Sequence, residues 1–143
     1  MGSVLSIDHG TKKTGFAIAD PLRIAVHALE QVALAGESEE LLDYIEKLLT
    51  ERDVEFFLLG MPYNMDGTEG SRSEDVHRFA ARLTERFPKV GIRLWDERLT
   101  TKAAEEMLRQ SGFSGRQAKG RKDSWSALVL LRDWIESGEP ANR

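Results

Sequence analysis

Three carboxylates stand where the chain changes its local character. Asp8 ends the apolar run Val4-Leu5-Ser6-Ile7 and leads into Gly10-Thr11. Glu97 follows the run from Gly91 to Asp96, and Asp123 opens an apolar helical pattern directly after a basic stretch. Oxygen ligands with no His or Cys among them suit Mg²⁺ or Mn²⁺ and not zinc. Two such ions roughly 4 Å apart activate a water and stabilise the leaving oxygen of a phosphodiester. In that arrangement Asp8 would bridge both ions, while Glu97 and Asp123 would hold one each or position water. A plainer reading stands beside it. Aspartate at a strand end often only caps a turn, and a chain with 24 acidic residues contains some such trio by chance.

Groups suited to phosphate surround these acids in the sequence. The turn from Gly10 to Gly15 offers backbone amides, the Thr11 hydroxyl and the Lys12 charge; as a bare hairpin turn it needs no ligand. Asn64 lies in a loop, Gly60 to Thr68, that follows an apolar run, where it either contacts substrate or a metal-bound water, or stabilises a turn. Asp66 in the same loop is a lesser metal-ligand candidate. Arg98 either contacts phosphate or pairs with an acid. Residues 107 to 122 carry Arg109, Arg116, Lys119, Arg121 and Lys122 and no acid, a local charge of +5. The whole chain is −4, which leaves −9 for the rest. Bulk charge therefore disfavours non-specific nucleic-acid binding, and phosphate contact is expected at this one patch. Asp96 adjoins Glu97, but successive side chains of a strand point to opposite faces, so Asp96 is expected to be structural. His9, His27 and His77 have no ligand spacing, with His77 expected to face solvent. Trp95, Trp125 and Trp134 are expected in the core or at an interface.

The elements that must position these groups follow from hydrophobic periodicity. Val4 to Asp8 and Thr14 to Ala19 predict a hairpin, and His27 to Leu34 a third strand. Ser38 caps a helix to Arg52, with Leu41, Leu42, Ile45, Leu48 and Leu49 at helical spacing. Glu55 to Leu59 predicts a buried parallel strand. Ser71 and Glu74 form the pattern of a capping box before Val76, Phe79, Ala80, Leu83 and Phe87. Gly91 to Asp96 predicts a strand, Thr100 to Gln110 a helix, Ser111 to Gly120 a flexible loop, and Asp123 to Ser137 a last helix buried through Trp125, Leu128, Leu131 and Ile135. The order implies a mixed sheet with packed helices. If the first and fifth strands are neighbours, Asp8 and Glu97 meet near one edge of it.

At 143 residues and 41% hydrophobic, the chain is sized for one domain with a true core. It has no cysteine, which excludes disulfides, thiolate catalysis and Cys-ligated zinc. No apolar run approaches the roughly 18 residues of a membrane span, and no secretion leader is read.

Four blocks of this sequence resemble a known family: Asp8-His9-Gly10-Thr11-Lys12-Lys13-Thr14-Gly15, Gly60-Met61-Pro62-Tyr63-Asn64-Met65-Asp66-Gly67-Thr68, Asp96-Glu97-Arg98-Leu99-Thr100-Thr101 and Lys122-Asp123-Ser124. They look like the signature blocks of the YqgF family, also called RuvX, in the same order and over essentially the whole chain. The resemblance implies an α/β fold of RNase H-like type, a five-stranded mixed sheet whose first three strands form an antiparallel meander, with helices on both faces. It implies a single nuclease domain over residues 1–143, bacterial and cytoplasmic, with Asp8, Glu97 and Asp123 as metal-binding carboxylates. It implies a role in maturing the 5′ end of pre-16S rRNA, or, by analogy with RuvC, resolution of four-way DNA junctions. A resolvase is expected to be a homodimer, since symmetric pairing matches a symmetric substrate. Trp125-Ser126 departs from the more Ala-rich residues expected there, which bears on helix packing and not on the acids. Asp8-x-Gly10-Thr11 also resembles the first phosphate loop of the sugar kinase, actin and heat-shock ATPase superfamily. A nucleotide- or RNA-binding module is therefore the competing expectation, set behind the nuclease because no second domain is read to close over ATP.

Overall fold

The computed structural model describes residues 2–34, 36–97, 106, 109 and 122–140, without the side chains of Lys122 and Asp123. Five strands form one sheet: β1 (Ser3–His9), β2 (Thr14–Ala19), β3 (Val26–Ala28), β4 (Val54–Met61) and β5 (Gly91–Asp96), in the order β3-β2-β1-β4-β5. β1 to β3 are the antiparallel meander, and β4 and β5 add in parallel beyond β1. The labelled helices are α1 (Glu39–Thr50), α2 (Ser71–Arg86) and α3 (Lys122–Glu136).

Both faces of the central strands are covered, which is why β1 and β4 read as nearly continuous apolar runs. Leu5, Ile7, Phe57, Leu59 and Met61 face the core built with Leu41, Leu42 and Ile45 of α1 and Val76, Phe79 and Leu83 of α2. The alternate residues Val4, Ala17, Ala19, Phe56 and Leu58 face α3, which contributes Ala127, Leu128, Leu131 and Trp134. Small side chains at Ala17 and Ala19 let the helix lie close on β2. Ser6 Oγ donates to Ala127 O at 2.9 Å, and Trp95 Nε1 donates to Asp133 Oδ2 at 2.6 Å, so polar bonds fix α3 at two points across the sheet. Trp95 and Trp134 are core residues, as expected, while Trp125 packs at the margin of the α3 cluster.

Most predicted elements are present, with four corrections. β3 is only Val26–Ala28; beyond it Leu29 N donates to Phe16 O at 2.8 Å and one isolated bridge joins Thr14 to Val32, while the Leu29 and Val32 side chains pack on the α1–α2 core. α1 is capped as predicted, Ser38 Oγ accepting from Leu41 N at 3.2 Å. α2 is not capped by Ser71 with Glu74. Gly70 is its N-cap, and Ser73 Oγ accepts from Gly70 N at 2.8 Å and donates to Gly70 O at 2.9 Å, so only the returning half of a box forms, one residue earlier. β1 and β5 are not neighbours, because β4 lies between them. α3 begins at Lys122, making Asp123 its second residue. The predicted helix from Thr100 to Gln110, apart from Glu106 and Arg109, and the loop from Ser111 to Gly120 lie outside the described residues.

Candidate active site

Strand alternation carries Asp8 onto the α3 face. Val4 and Ser6 already point there, and Asp8 is the next residue of that phase, half-buried near the carboxyl end of β1. The same argument applies to Gly60 on β4, which follows Phe56 and Leu58. Register then defines the neighbours. Asp8 pairs with Gly15 on β2. On the other side Ile7 pairs with Leu59, so Asp8 lies one step on, beside Gly60. The acid is thus flanked on both neighbouring strands by glycine. No side chain rises from either glycine beside Asp8.

Glu97 begins the turn after β5 and leans into that space. A Cβ built on Gly60 would lie 2.5 Å from Glu97 Oε2 and 3.2 Å from Leu130 Cδ2 of α3. Real Cβ atoms do not approach oxygen that closely, so the glycine is what admits the carboxylate. Glycine at position 60 therefore compensates for the strand that separates β1 from β5. Burial raises the carboxyl pKa of Glu97, the charge of Arg72 opposes that shift, and Asp96 adds to it. Asp96 pairs in register with Met61 and is buried on the α1–α2 face, opposite Glu97, as expected.

α3 runs antiparallel to β4. Leu130 lies against Gly60, and Trp134 packs edge-on to Phe56 with ring centroids 5.4 Å apart. The amino end of α3, with Asp123, therefore lies toward the carboxyl ends of β1 and β4. The Asp123 side chain lies outside the described residues, and among the described residues no three His, Asp or Glu side chains gather as a metal group. The donors offered by Asp8 and Glu97 are carboxylate oxygens, which suit a hard divalent cation.

Thr11 and Lys12 are exposed in the β1–β2 turn, which is closed by Gly10 N donating to Lys13 O at 3.0 Å. Asn64 braces its own loop. Its backbone N donates to Thr68 O at 2.8 Å and its Nδ2 to Thr68 Oγ1 at 3.0 Å, and Thr68 N in turn donates to Asp66 Oδ1 at 3.0 Å. Asp66 and Asn64 thus shape the loop after β4. Arg98, Arg116, Lys119 and Arg121 lie outside the described residues, as does the Lys122 side chain.

His9 is part of the scaffold. Its ring stacks on Phe79 at 4.2 Å and 11°, Nε2 lies 2.9 Å from Gly36 O, and burial lowers its pKa. His77 is exposed, as expected, and faces Glu69. The residue that sequence reasoning missed is Arg72. Its Nη2 donates to His9 O at 2.8 Å, next to Asp8 in the chain, and its charge acts on Glu97. One signal pointed to it: a cation in the first turn of a helix opposes the helix dipole and is usually avoided there.

The family model described as "RuvX: Holliday junction resolvase" matches residues 2–137. A "Putative pre-16S rRNA nuclease" of Geobacillus kaustophilus is 37% identical over 134 residues, 93% of this chain and 96% of that protein. One of the same name from Acetivibrio thermocellus is 36% identical over 134 residues, 94% and 95% of the two chains. Among solved structures, Thermus thermophilus RuvC in complex with a Holliday junction superposes with a TM-score of 0.59 at 13% identity, covering 97% of this chain and 98% of that one. Fowlpox virus resolvase with its junction DNA gives 0.59 at 13%, covering 96% and 99%. At that identity the likeness speaks for the fold alone, and the fold is RNase H-like. By the span of the family match and the identity to these relatives, this chain belongs to the RuvX family.

Proposed function

We propose that the chain is a divalent-metal-dependent nuclease that hydrolyses phosphodiester bonds in maturing the 5′ end of pre-16S rRNA, acting as one domain in the cytoplasm. The observation that carries this reading is Asp8 between Gly15 and Gly60 with the Glu97 carboxylate leaning over Gly60. Asp8, Glu97 and Asp123 would hold two Mg²⁺ or Mn²⁺ ions. When bound, these ions supply an activated water and charge stabilisation for the leaving oxygen. The chain's own part is to hold the carboxylates in place before substrate arrives: Asp8 by the β1 ladder, Glu97 by the gap at Gly60, and Asp123 by the start of α3. Thr11, Lys12, Asn64, Arg98, Arg116, Lys119, Arg121 and Lys122 would contact the nucleic acid, the last four offsetting phosphate charge. The names of the relatives support rRNA as substrate.

A second reading is supported by the family's description: resolution of four-way DNA junctions by a homodimer. One experiment separates the two. Wild type and Asp8→Asn are compared on RNA carrying a pre-16S 5′ leader, single-stranded DNA and a four-way junction, each with Mn²⁺, Mg²⁺ or EDTA. Metal-dependent RNA cleavage lost in Asp8→Asn supports rRNA processing. Paired symmetric nicks in the junction support the resolvase. No cleavage of any substrate, or activity unchanged in Asp8→Asn, overturns the carboxylate mechanism.

A further inference from the structure

On the α2 side of the β1–β2 turn, across the carboxyl end of β1 from Asp8, lies an open cleft of about 160 Å³. His9 and Gly10 line it from β1 and the turn, Thr11 offers a hydroxyl, and Arg72, Asp75 and Arg78 line it from α2. Arg72 is held in a defined orientation. Nη1 donates to Asp75 Oδ2 at 2.9 Å and Nη2 to His9 O at 2.8 Å, yet 38% of its side chain remains exposed. A guanidinium has five N–H donors in a rigid fork, and these two bonds use two of them. Asp75 also pairs with Arg78, and Arg78 with Glu37 at 3.6 Å.

We infer that this cleft is a phosphate subsite, with Arg72 as its principal donor, for a phosphodiester flanking the one cleaved; this rests on the nuclease reading above. Three observations converge on it. Arg72 stands in the first turn of α2, where the helix dipole disfavours a cation, and is fixed there by Asp75 and by the carbonyl of His9 with part of its fork still exposed. Its carbonyl partner is the residue after Asp8, so the guanidinium that lines the cleft is anchored at the end of the strand that carries the acid, and its charge reaches Glu97. The cleft has the features a phosphate needs, an oriented fork and a nearby hydroxyl. The charges of Arg72, Arg78, Asp75 and Glu37 sum to zero, so recognition there relies on directed hydrogen bonds. The basic stretch from 107 to 122 instead attracts the strand at long range. The two features divide the labour of binding and register.

The test is steady-state cleavage of a single-stranded RNA whose phosphates near the cut are replaced one at a time by neutral methylphosphonates. Wild type, Arg72→Gln and Arg72→Lys are compared after thermal melts show that each is folded. Arg72→Gln raises KM about 10-fold with kcat little changed, as expected for loss of a charge-assisted bond. Arg72→Lys recovers part of that loss, keeping the charge without the fork. At one position the methylphosphonate costs wild type a similar factor and costs Arg72→Gln nothing more. Penalties that multiply at every position overturn the subsite, as does a loss confined to kcat with an altered metal requirement, since Arg72 would then act only through Glu97. Should wild type cleave no nucleic acid, the nuclease reading falls and the subsite with it. Should it cleave while Arg72→Gln matches it, only the subsite falls.

Discussion

The carboxylate of Glu97 occupies the volume that a side chain at Gly60 would fill, with Oε2 2.5 Å from the ideal Cβ position. Gly60 sits on the strand that separates β1 from β5, so it decides whether acids from non-adjacent strands can share one space. Gly60→Ala should therefore displace Glu97, the flexible partner, more readily than the backbone. The expected result is a loss of cleavage on the order of 100-fold, the scale of an ångström-sized misplacement, with the cooperative melt retained. Cleavage at the wild-type rate would show that Glu97 has no need of the gap.

Asp8→Asn keeps the shape of the side chain and removes its charge. The two flanking glycines leave no other residue on β2 or β4 to take over. Cleavage should fall by at least about 100-fold, while the far-UV circular dichroism spectrum stays that of wild type. The comparison is made across a Mn²⁺ titration, where added metal should not restore the rate.

Glu97→Gln should raise the melting temperature of the metal-free protein at neutral pH while abolishing cleavage. Burial lifts the Glu97 carboxyl pKa above its ordinary 4.5, so the folded state favours the protonated form and the ionised form costs stability. That cost is present above the folded pKa. It disappears as pH falls below the ordinary value, where the group is protonated in both states. The variant's advantage should shrink in the same direction. Melts at neutral and acidic pH in EDTA check it, and equal melting temperatures at neutral pH would contradict the burial argument.

Trp134 is fully buried, packs edge-on to Phe56, and donates Nε1 to Pro140 O at 2.9 Å. Trp134→Ala should cost about 3–5 kcal/mol in urea unfolding, because the cavity opens between α3 and the sheet. Trp134→Phe should cost less, keeping most of the contact and losing the hydrogen bond.

The hairpin, both central strands and the Ser38 cap were legible because each is a local pattern: period two on a sheet buried on both faces, period 3.6 on α1, and an oxygen placed to accept from Leu41 N. The places of the candidate acids, two at strand ends and one at a helix start, were legible for a related reason. Strand ends and helix starts are read from such patterns, and family blocks mark the same positions. The short third strand was not legible, since Leu29 and Val32 have strand-forming character yet lie beyond its end, their side chains packed on the α1–α2 core. Nor was the α2 cap, where Gly70 and Ser73 compete with an equally good Ser71 and Glu74.

By itself the sequence determined the periodicities, hence the elements, the faces they bury and the candidate acids, because these depend on neighbours within a few residues. Only the tertiary structure decided that β4 lies between β1 and β5, that Gly60 therefore has to make way for Glu97, and that Arg72 reaches the end of β1 from a helix 63 residues further along the chain. Strand order and side-chain approach are set by how whole elements pack to bury their apolar faces, and that global balance of burial and chain entropy leaves no local trace in the residues it brings together.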